Sequence, residues 1–262
     1  MRALRLLLTL ALLVVAPAAA SASGCFPVAA APPRIQLASL TQAALPAGAT
    51  VQLTFLGHSS FLIETAGGIR AVTDYNGYIR APITPDIVTM NNAHSTHFTE
   101  VIEPGIRHVL RGWNPAGGEA QHDLTEGDLR IRNIPTSVHG RSGRQGNSNS
   151  IFIFEVADLC IAHLGHLHHV LDRERLADLG QIDVLLVPVD GAYTLSQPEM
   201  AEVIRQITAP LVIPMHYFGA STLGRFLDLL KEEYEVALSE TATVALSRAT
   251  LPAKRVLVLP GE

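Results

Sequence analysis

Short apolar runs rich in β-branched residues, each followed by a turn, dominate this chain from residue 51 onward. Such runs predict strands. The first two form a hairpin through the turn at residues 57–59, and helical patterns come only later. Strands followed by strand–helix alternation favour sheets packed against helices, so we expect an α/β fold in a single domain. The candidate strands are residues 51–56, 61–64, 69–73, 87–90, 108–110, 129–134, 151–155, 159–162, 184–187 and 211–213.

Three segments near the end of the chain have a helical pattern, at residues 171–179, 198–207 and 223–234. Ser196 precedes the second segment and Glu199 follows three residues later, which is the spacing of a capping box. These helices would cover the outside of the sheets.

The amino-terminal residues are typical of a secretory signal. Arg2 and Arg5 precede an uncharged apolar run at residues 6–16, and small residues follow up to Gly24. A membrane-spanning helix needs about 20 continuous apolar residues, and Pro17 interrupts this run. We therefore expect residues 1–24 to be a signal peptide and the mature protein to be periplasmic or secreted.

Residues 22–25, Ala-Ser-Gly-Cys, are similar to a bacterial lipobox, which makes Cys25 a candidate for lipidation and for a membrane anchor. The alternative is ordinary cleavage near Ala20 or Ala22. Residues 25–49 are rich in Ala and Pro and predict a linker, which leaves residues 50–260 for the domain. Cys160 lies in an apolar strand and is interpreted as a core residue.

Charge and residue counts exclude several classes of protein. The chain has 19 Lys and Arg against 24 Asp and Glu, a net charge of −5, so nucleic acid is not an expected partner. Two cysteines are too few for a disulfide scaffold or a Cys-rich zinc module. Because the chain has eleven histidines, a bound metal would be held by imidazole.

Histidines follow four of the predicted strands. They are His94 and His97 after residues 87–90, His139 after 129–134, His166 after 159–162, and His216 after 211–213. Sites form where strand ends and their loops converge. A single histidine at a strand end is more often structural, but four such segments together predict a metal site.

These residues resemble the metallo-β-lactamase superfamily, and most closely its branch of predicted zinc-dependent hydrolases related to the ascorbate-phosphate lactonases. The resemblance covers nearly all of residues 51–258, with landmarks at 56–63, 73–74, 86–89, 163–165, 186–189 and 213–218. It implies a four-layer αβ/βα sandwich: two packed sheets with helices outside and the metal site along one edge.

The chain departs from the family's ligand pattern. The signature loop, His-x-His-x-Asp-His, corresponds to residues 92–97, where Asn92 replaces the first histidine and Thr96 the aspartate. His139 and His216 match ligand positions, and His166 replaces the aspartate that bridges two metals. An imidazole offers one lone pair and cannot bridge, and losing two carboxylates leaves two dications uncompensated. We therefore expect one metal ion.

The resemblance and the substitutions together predict a mononuclear site with ligands from the histidines just named, three or four of which would bind the ion. The ion would be Zn²⁺, although imidazole also suits other transition metals. A metal-bound hydroxide would attack a small-molecule substrate, with Asn92 or Thr96 as groups that could orient the water. His58, Asp74 and His169 would lie behind the ligands, although Asp74 could equally be a turn residue.

Two functions remain open at this point. The first is an exported metal-dependent hydrolase that cleaves an ester, lactone or phosphoester. The second is a non-catalytic member of the fold that binds a metal or small ligand. Loss of the orienting aspartate favours the second, and survival of the histidines favours the first.

Overall fold

The computed structural model describes Cys25, residues 45–140 and residues 143–261, with the backbone alone described at residues 139, 140 and 143–145. The predicted signal peptide and most of the predicted linker lie outside the described residues. None of the described helices is both long and apolar enough to cross a bilayer.

Fourteen strands and three α-helices make up the described chain. The strands are β1 (Val51–Gly57), β2 (Ser60–Thr65), β3 (Arg70–Val72), β4 (Ile87–Met90), β5 (His108–Arg111), β6 (Asp123–Glu126), β7 (Leu129–Gly140), β8 (Gly143–Val156), β9 (Leu159–His163), β10 (Val184–Pro188), β11 (Leu211–Met215), β12 (Glu235–Leu238), β13 (Thr243–Leu246) and β14 (Arg255–Val258). The helices are α1 (Arg173–Leu179), α2 (Gln197–Ile207) and α3 (Ala220–Asp228).

The strands form two sheets. The first has the order β13-β1-β2-β3-β4-β5 and the second has the order β12-β14-β11-β10-β9-β8-β7-β6. Strands β9, β10 and β11 run parallel as neighbours, so their carboxyl ends lie at one edge of the second sheet. In the first sheet β4 runs parallel to β3 and β5. These parallel neighbours are what bring loops from distant parts of the chain to one place.

The two sheets pack face to face through a buried apolar core that includes Leu53 and Phe61 of the first sheet and Phe152 and Ile213 of the second. The three helices cover the outer face of the second sheet in a separate apolar cluster. In the described residues, the outer face of the first sheet is covered by irregular segments, which contribute side chains such as Phe98. The two-sheet α/β fold predicted from the sequence is confirmed.

Four strands were not predicted from the sequence: β6, β12, β13 and β14. Strands β6, β12 and β13 lie at sheet edges and carry partly exposed side chains, so they lack an apolar run.

The third helix ends earlier than predicted. Ser196 precedes α2 as expected, but its hydroxyl bonds the Glu199 carboxylate and makes no side-chain bond to a backbone amide, so the capping-box prediction was wrong.

Cys25 forms a disulfide with Cys160, which lies in β9. Both residues are fully buried, and the Gln181 amide donates to the Cys25 carbonyl at 2.7 Å. A sulfur that is bonded to another sulfur is not free to carry a thioether-linked lipid. The prediction of lipidation at Cys25, and of a lipid anchor to the membrane, is therefore corrected. Cys160 is a core residue as predicted, but it is not a free thiol.

Candidate metal centre

Four histidines from three loops converge at one edge of the sandwich. His94 and His97 follow β4, His166 follows β9, and His216 follows β11. One ring nitrogen of each lies within 4.8 Å of the corresponding nitrogens of the others. His97, His166 and His216 are buried, whereas His94 is exposed. The side chain of His139, the fifth predicted ligand, lies outside the described residues.

The spacing of these nitrogens suits one ion. His94 Nε2 is 3.0 Å from His166 Nε2, and His97 Nε2 is 3.2 Å from His216 Nε2. Zinc binds imidazole nitrogen at about 2.0–2.1 Å, which gives a tetrahedral edge of about 3.3 Å. The two measured separations are therefore close to the edges of a tetrahedron around a single ion.

A buried carboxylate lies behind each of two candidate ligands. Asp74 Oδ2 is 2.6 Å from His97 Nδ1, and Asp190 Oδ2 is 2.9 Å from His216 Nδ1, off the direction of that ring's N–H bond. An ionised carboxylate this close attracts a proton and repels a lone pair, so each Nδ1 carries its proton and each Nε2 keeps a lone pair. Both histidines are thereby held in the tautomer that binds a metal through Nε2.

The other two candidate ligands are oriented by neutral partners. His94 Nδ1 lies 2.7 Å from Thr96 Oγ1, which in turn lies 3.0 Å from His58 Nε2. If His94 donates to the hydroxyl and the hydroxyl donates to His58, His94 Nε2 is left as a lone pair. His166 Nδ1 is 2.7 Å from His168 Nε2, and the same reasoning leaves His166 Nε2 free.

This arrangement requires positive charge at its centre. His97 Nε2 and His216 Nε2 are both acceptors when both rings are neutral, and two lone pairs at 3.2 Å repel each other. Either an extra proton on one ring or a metal ion must separate them. The ring nitrogens of His94 and His166 lie at the same centre. A single proton shared by His97 and His216 would leave these two nitrogens without a partner, whereas a metal ion could bind all four. The donor set therefore fits a bound metal ion.

The surroundings keep two of the imidazoles neutral and the two carboxylates ionised. Burial, with the charges of His97 and His216, lowers the pKa of His94 to about 4 and holds the pKa of His166 far below its ordinary value. Burial alone would raise the pKa of Asp74, but its interactions with His97, His163 and Ser59 keep that pKa well below its usual range. The same balance, with the nearby His216 ring and with hydrogen bonds from Thr194 and backbone amides, lowers the pKa of Asp190. Neutral imidazole and ionised carboxylate are the forms that metal binding needs.

The backbone at the site is strained. His58, Asp74 and His216 adopt positive φ angles of 51°, 45° and 54°, which residues with side chains rarely do. Gly165, at φ 59°, places the next residue, His166, and a Cβ there would overlap the Asn91 and Asn149 side chains. Strain of this kind persists only where the surrounding structure holds it, and it clusters at functional sites.

The remaining predicted residues fall in different places. Thr96 lies between His58 and His94 and therefore orients a candidate ligand. The backbone amide of Asn92 donates a hydrogen bond to the Ser148 carbonyl. Among the described contacts, none joins the Asn92 side chain to the histidine cluster. The ring of His169 accepts a hydrogen bond from the Ser137 amide at 3.4 Å. The roles predicted for Asn92 and His169 stay predictions.

Three further residues contact the candidate ligands or the groups behind them. Asn91 donates to Asp74 Oδ1 at 3.1 Å, and His168 contacts His166. Asn149 Oδ1 accepts a hydrogen bond from the His166 backbone amide at 2.7 Å. Asp190 was missed, although it follows β10, between the two strands that deliver His166 and His216, and the same strand-end reasoning would have found it.

A cavity of about 480 Å³ opens onto the histidine cluster. Its lining consists of His58, His94, Thr96, Tyr193 and Phe218. A second cavity of about 600 Å³, lined by residues that include Tyr78 and Phe98, contains none of the four candidate ligands. The smaller cavity is therefore the approach to the candidate metal centre.

Comparison with known proteins agrees with this geometry. A family model described as a beta-lactamase superfamily domain matches residues 52–216, more than half of the chain. A protein of Methanoculleus marisnigri that is named a metal-dependent hydrolase is 26% identical over 228 residues, which cover 81% of this chain and 95% of the relative.

Two solved structures are also similar. A proposed Zn-dependent hydrolase of the metallo-β-lactamase superfamily from Thermotoga maritima has a TM-score of 0.61 at 27% identity, and the match covers 81% of this chain and 100% of that one. A proposed metal-dependent hydrolase from Parabacteroides distasonis has a TM-score of 0.57 at 16% identity, covering 81% of this chain and 94% of that one, and so shows the fold alone.

Proposed function

Because this chain belongs to the metallo-β-lactamase superfamily and is a metal-dependent hydrolase of that family, we propose that it acts on a small-molecule substrate with a single metal ion. One observation carries the proposal. Four imidazole nitrogens converge within 4.8 Å, and a polar partner lies within 2.9 Å of the Nδ1 atom of each ring. Such partners fix the ring orientation and the tautomer that a metal ligand needs.

The charges behind the cluster support one divalent ion. Asp74 and Asp190 together bring a charge of −2, which balances one dication and leaves a second uncompensated. We propose Zn²⁺ because every described donor is an imidazole, a ligand that also suits Cu²⁺ and Ni²⁺. When bound, such an ion supplies Lewis acidity and lowers the pKa of a coordinated water to about 7.

Some residues of the site would hold the ion, and others would leave it accessible to substrate and water. His97, His166 and His216 are buried and form the constant part of the ligand set. His94 is exposed and lines the cavity, so it stands where substrate and water enter. His58 packs over His216 with ring centroids 4.1 Å apart and closes one side of the cavity. These roles keep water away from the inner ligands and admit the substrate from one direction.

The proposal is tested by metal content and turnover in the same preparation. The purified mature protein should contain about one equivalent of zinc and hydrolyse a chromogenic ester, lactone or phosphodiester. A chelator and His97→Ala should abolish both properties. His108→Ala is a matched control, because this histidine contacts Glu126 and lies outside the cluster. Turnover that survives complete removal of metal would overturn the proposal.

A non-catalytic role in binding a metal or small ligand is the alternative, and one observation favours it. Thr96 stands where the family carries an aspartate, and its hydroxyl is engaged by His58 and His94. A hydroxyl is a far weaker base than a carboxylate, so Thr96 cannot take a proton from a water as the aspartate would. Full zinc occupancy without turnover of any substrate class in the panel would support this alternative.

We also propose that the protein is exported. The amino-terminal pattern of residues 1–24 and the disulfide between Cys25 and Cys160 both support this, since disulfides persist in oxidising compartments. The mature chain recovered from the periplasm or medium should start before Cys25 and show a mass without free thiols. A cytoplasmic protein with an intact amino terminus would contradict export.

A further inference from the structure

Two aromatic side chains stand exposed at the mouth of the candidate metal centre. Tyr193 is 62% exposed and Phe218 is 64% exposed, and their ring centroids are 5.7 Å apart in an edge-on arrangement. Phe218 also lies 5.5 Å from the His216 ring and 5.9 Å from the His58 ring. The aromatic pair therefore forms a wall that begins directly beside a candidate metal ligand.

The fold holds this wall in place through the residues that orient the metal ligand. Phe218 is two residues after His216, at the end of β11. Tyr193 lies in the turn after β10, where Asp190 Oδ1 accepts backbone hydrogen bonds from Ala192 at 2.8 Å and Tyr193. The same carboxylate faces His216 through its other oxygen. The positions of the ligand and of the aromatic wall are thus set together.

The cavity offers little to a charged substrate group. Among the described residues that line it, none is an Asp, Glu, Lys or Arg, and Tyr193 and Phe218 supply its outer surface. Apolar and aromatic surface beside a few convergent polar groups is typical of small-molecule sites. Two aromatic rings that meet edge-on and remain exposed at such a place form a surface suited to cover an apolar ligand group.

We propose that Tyr193 and Phe218 form an apolar subsite that binds an aromatic or other apolar group of a neutral carboxylic ester or lactone. This assignment rests on the proposed hydrolase function and narrows its substrate class. The scissile carbonyl would lie at the histidine cluster, and the apolar group next to it would pack on the two rings. Neither aromatic residue takes part in bond cleavage, so both determine specificity.

Binding of two hydroxamic acids to the zinc-loaded mature protein tests the subsite. Acetohydroxamic and benzohydroxamic acid present the same metal-binding group and differ in a methyl or a phenyl substituent. Calorimetry should show that the protein binds the phenyl compound about tenfold more tightly, which corresponds to the contribution of one favourable aromatic contact. Phe218→Ala and Tyr193→Ala should each reduce that preference at least threefold while zinc content stays the same.

Two further variants sharpen the comparison. Phe218→Leu keeps an apolar side chain and should restore part of the preference. Tyr78→Ala removes a tyrosine that is 75% exposed and belongs to the other cavity, so the preference should stay at the wild-type value. Both aromatic residues of the subsite are mostly exposed, so their removal should leave folding intact.

The outcomes separate this inference from the proposed function. A preference that is unchanged in Phe218→Ala and Tyr193→Ala, with zinc bound, would overturn the subsite even if esters are hydrolysed. A preference that falls in both variants would support the subsite even if no ester is turned over. The absence of ester turnover would then count only against the proposed hydrolase function. Hydrolysis of a phosphodiester in preference to aromatic esters would also overturn the assignment of substrate class.

Discussion

Replacing Asp74 by Asn tests whether the carboxylate behind His97 determines metal affinity. Asp74 is fully buried, with Oδ2 at 2.6 Å from His97 Nδ1 and Oδ1 accepting from Asn91 at 3.1 Å. Asn has nearly the same shape but no charge. Its amide can also turn an N–H toward His97, which would favour the tautomer that does not bind metal through Nε2.

The size of the effect follows from this contact. A hydrogen bond to a buried charged group contributes about 1.5–3 kcal/mol, and partners behind metal-binding histidines typically change metal affinity by about 10- to 100-fold. Since 1.4 kcal/mol corresponds to a factor of ten, the two ranges agree. We therefore expect Asp74→Asn to weaken zinc binding by about 10- to 100-fold.

The assay is a competition titration of zinc against a chelator of known affinity, with circular dichroism to show that the variant is folded. Asp86→Asn is the matched control, because Asp86 bonds the Arg70 amide and the Arg107 guanidinium on the protein's exterior. Its zinc affinity should equal that of the wild type. An affinity for Asp74→Asn within twofold of the wild type would refute the reasoning, as would an equal loss in both variants.

Three further predictions concern stability. Cys160→Ala should lower the free energy of unfolding by about 2–5 kcal/mol in chemical denaturation, and an unchanged value would mean that the disulfide does not form in solution. Gly165→Ala should cost at least about 1 kcal/mol more than Gly117→Ala, because both glycines have positive φ angles but only the first would place its Cβ against other atoms; equal melting temperatures would contradict the packing described. Because the pKa of His94 is lowered from 6.5 to about 4, the unfolded chain binds more protons between these values, so the metal-free protein should lose stability as the pH falls from 7 to 4. A melting temperature that rises over that range would contradict this sign.

Much of the architecture was visible in the sequence because its central strands are fully buried. Strands β4, β9, β10 and β11 are fully buried and mostly apolar, and their boundaries were predicted to within two residues. Strand β12 was not predicted, because most of its side chains are exposed and its pairing with β14 forms only in the folded sheet. A local apolar pattern in the sequence reflects burial of the side chains, and an exposed edge strand has too few buried side chains to produce one.

The candidate ligands could be predicted, and so could Asp74 behind His97, whereas Asp190 behind His216 was missed. His94, His97, His166 and His216 each follow a strand, so their convergence could be argued from topology. The partner of each ring depends on a side-chain direction that a shift of one residue changes. The contacts of Asn91 with Asp74 and of His168 with His166 could therefore not be assigned from the sequence alone.

The disulfide shows a different limit of sequence reasoning. Cys25 lies in an Ala- and Pro-rich segment beside a lipobox-like pattern, and its partner Cys160 is 135 residues away. No local pattern links the two cysteines. Only the packing of Cys25 against β9 and the Gln181 amide distinguishes a disulfide from a lipid attachment site.

A crystal structure of the zinc-loaded protein, with anomalous diffraction measured at the zinc edge, tests the central claim most directly. We expect one anomalous peak within bonding distance of Nε2 of His97, His166 and His216. Two peaks at this place would contradict the charge argument. A peak elsewhere, with the histidine cluster empty, would contradict the assignment of the metal centre.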